Sequence, residues 1–303
     1  MINSHDFYTI SDGTQLRIKV VNNGAKSWLV GLHGLGEHYE RHTYIMDVFG
    51  DKYNYFFIDH RGHGMSGGRR ASIDNFETFA SDFSEVLKGM IKKYKIESYG
   101  IYAHSMGTLV ACDFYKNYMK DMLRPDMVFL SSPAVGFPGL GKVLGLSPAS
   151  LTGLIKDLPM SFDIDSDNDQ ERYSHDGRVL YDLMKDPLVN QHTGSKLMME
   201  IVHRANEVFE TTLDFDCPVA AVIGSSDKVV CPISSYEYFT TKELISQVTV
   251  VPGGYHELFV ETEEYKKPFM DSLKSFVEGH LSVDSLALDN VRPIRTEKPS
   301  LTV

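Results

Sequence analysis

Four short, wholly apolar runs fix what this chain can become: Trp28–Leu32, Tyr55–Ile58, Tyr99–Ala103 and Met127–Leu130. Each is too short for a buried helix and lacks the polar alternation of a strand with one wet face. Such runs suit strands buried on both faces of a sheet. Helical segments lie between them. One covers Arg41 to Phe49. The next, from Phe76 to Tyr94, places Phe76, Phe79, Phe83, Val86, Leu87, Met90 and Ile91 at helical spacing. A third starts at Thr108-Leu109-Val110-Ala111. The order β-α-β-α-β-α-β predicts a mostly parallel sheet with right-handed crossovers and helices on both faces, an α/β architecture. Ahead of it, Phe7 to Ile10 and Gln15 to Val21 flank Ser11-Asp12-Gly13 and read as a β-hairpin.

The alternation then breaks. From about residue 135 to 210 no buried strand is legible. Phe137 to Leu146 is apolar and rich in Gly, and Leu151 to Leu158 has a short helical period. Asp163 to Asp169 is an acidic loop, and helical stretches run over Val179–Met184 and Lys196–Phe209. The sheet resumes with Val219–Gly224, a helix near Ser234–Thr241, the strand Gln247–Val251 and a last helix over Glu263–Glu278. The expected organisation is a core formed by 1–134 and 211–280, an inserted α-helical cap over 135–210, and a C-terminal tail over 281–303. An insertion at this point lies over the C-terminal rim of the sheet, where ligands of open α/β folds gather. Its apolar content suits an apolar substrate.

At the third strand's end stands Ala103-His104-Ser105-Met106-Gly107. A small residue, any residue, Ser, any residue, Gly between strand and helix is the pattern of a nucleophile elbow, which lifts a serine hydroxyl clear of the sheet. Serine alone is a poor nucleophile; it needs a base, and the base needs a carboxylate. The chain supplies both in the order Ser, Asp, His: Asp227 follows one later strand and His256 the last. Asp59 is the rival acid, but it precedes the serine and opens a Gly-rich turn. The N–H of Met106, at the helix start, and the N–H of Leu35, in the loop His33-Gly34-Leu35-Gly36, are the expected oxyanion donors. Gly62, Gly64 and Gly67 have dinucleotide-fingerprint spacing, yet an Asp-His-Arg lead-in and no helix start after Gly67 make the segment a structural loop.

Several classes are excluded. A net charge of −11 with no basic cluster argues against nucleic acid and gives no polybasic anchor for anionic lipid. The three cysteines have neither a disulfide framework nor metal spacing, which fits a reducing compartment. His38 and His42 have helical spacing, but Glu40 is misplaced for a zinc-protease motif. In the acidic loop Asn168 stands where a calcium loop needs Gly, and Ser174 where it needs Glu. No metal and no cofactor are expected. The first residues lack a basic region followed by an apolar run, and no apolar stretch reaches the ~20 residues that span a bilayer. The expected location is cytoplasmic, peripheral to a membrane if the cap touches lipid.

The stretches HGLGEHYERH, DHRGHGMSGG, AHSMG, KDPLVNQHTGSKLM, GSSDKVV and PGGYHELF together resemble α/β-hydrolases of the monoacylglycerol lipase and lysophospholipase group. The resemblance spans about residues 8 to 280. It implies a serine esterase on single-chain lipid esters with the triad Ser105, Asp227 and His256 and an oxyanion hole at Leu35 and Met106. It also implies a polar cluster of Glu37, Arg41 and His104 near the glycerol end of a substrate. Ala103 replaces the usual Gly, Thr108 a common second Gly, and Leu35 a smaller residue. The cap matches least well, so the acyl chain is the least defined feature. An aminopeptidase, a thioesterase and a non-catalytic binding protein are the alternatives on the same fold. The peptidase would need an acidic patch, such as Asp163 to Asp169, to hold a substrate amine.

Overall fold

The computed structural model describes residues 2–120, 122–137, 161–163 and 170–282. The segment Phe137–Leu146 beyond its first residue, the stretch Leu151–Leu158, most of the acidic run and the tail from 283 lie outside them. The sheet is built from β1 (Ile2–Thr9), β2 (Gln15–Asn22), β3 (Trp28–Leu32), β4 (Asn54–Ile58), β5 (Tyr99–His104), β6 (Met127–Ser131), β9 (Val219–Gly224) and β10 (Gln247–Val251). Their spatial order is β1-β2-β4-β3-β5-β6-β9-β10. The six strands from β4 to β10 in that order run parallel, and the hairpin β1–β2 joins antiparallel through β2 and β4.

The apolar runs are continuous because both sheet faces are covered. Along the strands alternate residues enter two separate cores. Val30, Phe56, Ile101 and Val128 pack on one side with α2 (Glu77–Tyr94) and α3 (Met106–Tyr118). Leu29, Phe57, Tyr102 and Phe129 pack on the other with α1 (Tyr44–Phe49) and α8 (Glu263–His280). The helix expected from Arg41 is two pieces, a 3₁₀ turn over Tyr39–His42 and α1 after Thr43. His38 and His42 therefore do not share a helix face.

Between β6 and β9 the described elements are β7 (Ser161–Asp163), α4 (Gln170–Tyr173), α5 (Gly177–Lys185), β8 (His192–Gly194) and α6 (Ser195–Val208). α7 (Pro232–Glu237) follows β9. β7 and β8 pair antiparallel, a ribbon of two three-residue strands that no apolar run announces. α6 is not a loose part of this excursion. Leu197, Ile201, Ala205 and Val208 enter the same core as α3, and Arg204 forks onto the fully buried Asp113 of α3 at 2.7 and 2.9 Å.

Candidate active site

Ser105 lies between β5 and α3 with φ +50° and ψ −122°, a strained backbone for a residue with a Cβ. Close packing at the elbow enforces it. A Cβ on Gly107 would sit 2.6 Å from the carbonyl oxygens of both Leu32 and His33, so only glycine lets α3 pass the end of β3. Ser105 Oγ is 2.8 Å from His256 Nε2, and His256 Nδ1 is 2.7 Å from Asp227 Oδ2. Asp227 is fixed in turn, its Oδ1 accepting the N–H groups of Val229 and Val230 at 2.8 and 3.0 Å. All three residues are buried. The three loops that carry them follow β5, β9 and β10 and meet at one sheet edge.

The electrostatics suit proton transfer. Burial disfavours a charged His256, but Asp227, with Glu257 and Glu37 nearby, outweighs it and lifts the imidazole above its ordinary pKa. If His256 takes the serine proton, it must be neutral at the start. Activity should then fall as pH drops through a value above the ordinary histidine pKa of 6.5, and a kcat/KM profile flat from pH 8 to 6 would contradict this.

Met106 opens α3, so its N–H has no carbonyl within the helix. Leu35 follows Gly34, where a Cβ would lie 3.1 Å from Ser105 Cβ. The two loops that carry these N–H groups are therefore in contact beside the serine.

Glu37, Arg41 and His104 lie in one buried network. Glu37 Oε1 accepts the Gly34 N–H at 2.5 Å and bonds His42 Nε2 at 2.9 Å, and its Oε2 accepts from Arg41 at 2.6 Å. Burial opposes the charge on Glu37, but His42 and Arg41 hold its carboxyl well below the usual range. Arg41 also forks onto Glu257 at 2.6 and 2.9 Å. Glu257 is the residue that sequence reading missed, although it adjoins His256. His104 bonds Ser131 Oγ and packs its ring against His42, His256 and Phe259. Burial holds it well below the ordinary histidine pKa. Asp59 is occupied elsewhere, accepting the N–H groups of Tyr39 and Met65. A Cβ on Gly64 would strike its carboxylate at 2.0 Å, so the glycine loop is wrapped around Asp59 as a structural turn.

A cavity of about 180 Å³ adjoins these loops. Leu35, Glu37 and Arg41 wall it from the β3 side, Val229 and Glu257 from the Asp227 and His256 loops, and Leu183, Val189 and Met198 from the excursion. His38 Nε2 to Asp186 Oδ2 at 2.8 Å and Asn190 N–H to the Gly36 carbonyl at 2.6 Å tie that excursion to the rim. No cluster of metal-ligand side chains occurs among the described residues.

Fold and site together define a serine hydrolase of the α/β-hydrolase fold. The chain belongs to the family described as serine aminopeptidase, S33, whose model matches residues 23–263. Among individual proteins it is similar to an uncharacterized abhydrolase domain-containing protein of Dictyostelium discoideum, 27% identical over 255 residues. That match takes in 82% of this chain but only 26% of the longer protein. The monoacylglycerol lipase of Mycolicibacterium smegmatis is 26% identical over 256 residues, covering 82% of this chain and 87% of that protein. The crystal structure of a soluble variant of monoglyceride lipase from Saccharomyces cerevisiae, in complex with a substrate analog, superposes with a TM-score of 0.76 at 17% identity. It covers 93% of this chain and 96% of that one.

Proposed function

We propose that this chain is a serine esterase that hydrolyses carboxylic esters of single-chain lipids, monoacylglycerols or lysophospholipids. The observation that carries the reading is the continuous relay Ser105–His256–Asp227 beside a cavity with two kinds of wall. Leu183, Val189 and Met198 offer apolar surface for an acyl chain on a side that also carries Arg172, Asn190 and Thr193, and Glu37, Arg41 and Glu257 offer a polar side for a hydroxylated leaving group. In this mechanism Ser105 Oγ attacks the ester carbonyl while His256 Nε2 takes its proton. The N–H groups of Leu35 and Met106 hold the oxyanion. His256 returns the proton to the leaving alcohol, and water, activated by the same imidazole, releases the fatty acid. Asp227 fixes the tautomer and stabilises the imidazolium. Residues 135–210 serve as the cap that meets the acyl chain, over a core of 1–134 and 211–280. Tyr181 and Met184 are exposed on α5 and support a transient contact with a lipid surface. No described helix is long and apolar enough to cross a membrane.

Ester rather than peptide cleavage is favoured by the state of the carboxylates on the polar wall. Glu37 and Glu257 share Arg41 as a buried counter-ion, which offsets part of the negative charge that would draw a substrate ammonium while leaving oxygen lone pairs to accept from a hydroxyl. Of the acidic run only Asp163, in β7, is among the described residues. A rate panel tests the reading. Purified protein is given a monoacylglycerol, a lysophosphatidylcholine, p-nitrophenyl esters of rising chain length and an aminoacyl arylamide. The lipid esters should give the highest kcat/KM; a preference for the arylamide would move the function to aminopeptidase.

A further inference from the structure

Two bonds hold the His256 peptide from outside the triad: its N–H reaches the Arg172 carbonyl at 3.4 Å, and its carbonyl is held, much more closely, from the end of β6. Ser132 Oγ donates to the His256 carbonyl at 2.6 Å, and both groups are buried. Ser132 itself has φ +48°, a left-handed conformation uncommon for a residue with a Cβ. Its backbone is held there from both sides: its N–H bonds the Val222 carbonyl at 2.9 Å, and the next carbonyl, of Pro133, accepts from Ser235 Oγ at 2.8 Å. Ser105 and Ser132 thus end neighbouring parallel strands, β5 and β6, each with positive φ. The first aims its hydroxyl at the imidazole of His256 and the second at its backbone. Strain retained at a buried position beside a catalytic group calls for a reason that packing does not give, since glycine would fit this backbone without strain. The hydroxyl is what glycine lacks.

We propose that Ser132 is a positioning residue for His256: its hydroxyl fixes the peptide that carries the imidazole, so that Nε2 stays within reach of Ser105. The proposal rests on the reading of His256 as the base. A small displacement of a catalytic group is expensive in rate, so losing this bond should lower turnover about ten- to a hundredfold.

Ser132→Gly separates positioning from folding. Glycine relieves the left-handed strain, which offsets the lost hydrogen bond, so the variant should stay folded and melt within several degrees of the native protein. The same variant should lose about tenfold or more in kcat on p-nitrophenyl butyrate with KM unchanged. Ser132→Ala, which keeps the strain and loses the hydroxyl, should show the same kcat loss. A second readout needs no turnover: the far-downfield NMR resonance of the proton shared by His256 Nδ1 and Asp227. It should be sharp in the native protein and broadened or shifted in both variants. Native kcat and an unchanged downfield proton in a stably folded Ser132→Gly would overturn the proposal. Native protein that shows the resonance but neither cleaves esters nor reacts with a fluorophosphonate would instead sink the esterase reading. The resonance of the variants would still decide whether Ser132 positions His256.

Discussion

Ser105→Ala should leave a folded protein with ester hydrolysis reduced on the order of 10⁴-fold or more, and with no labelling by a fluorophosphonate probe. Among the described residues Ser105 Oγ has one polar partner, His256 Nε2 at 2.8 Å, and its removal takes away the group placed to form an acyl-enzyme in this geometry. The fold should tolerate it, because alanine keeps the Cβ and the elbow is set by Gly107 and by the Ser105 N–H bond to the Ser131 carbonyl at 3.0 Å. Melting temperature and esterase rate, measured on the same sample, check both halves. Hydrolysis retained at a tenth of the native rate would mean that another group attacks the ester.

Asp227→Asn should be nearly as severe, lowering kcat by about 10⁴-fold. The amide oxygen of the new side chain could still accept the Val229 and Val230 N–H groups, so the loop would keep its shape. The amide NH₂ would then face His256 Nδ1 and force that nitrogen to accept. The ring proton would move to Nε2 and point at Ser105, where a base must have a lone pair. Asp59→Asn is the contrast. Asp59 binds the N–H groups of Tyr39 and Met65 and touches no triad member, so its loss should appear in the melting temperature rather than in kcat. A large kcat loss at Asp59 with little at Asp227 would reverse the assignment of the acid.

The sheet was legible because its interior strands are buried twice over, which writes each one as an unbroken apolar run that no helix period imitates. The elbow was legible because its backbone restricts residue type at Gly107. The order Ser, Asp, His was legible because each residue lies in a loop that follows a strand, β5, β9 or β10. Other features left weaker marks. β7 and β8 are three residues each, below the length at which alternation can be read. The helix expected from Arg41 breaks at Thr43 because His42 turns inward to meet Glu37 and Tyr102, a tertiary demand with no local sign. Glu257 stood beside His256 in plain view, but its value depends on Arg41, more than two hundred residues away. Ser132 reads as an ordinary strand-end serine; only the left-handed φ and the bond to His256 mark it out.

The union of α6 with α3 constrains how this enzyme can diverge. Arg204 and Asp113 fasten the last helix of the excursion to α3, the helix that starts directly after Ser105. Descendants that retailor their substrate range therefore inherit a fixed seam. An exchange that ends ahead of Ser195 leaves this seam intact, whereas one that runs past it replaces the helix that α3 packs against. A chimera joined before α6 should therefore keep the Arg204–Asp113 seam, and one joined after α6 should lose it.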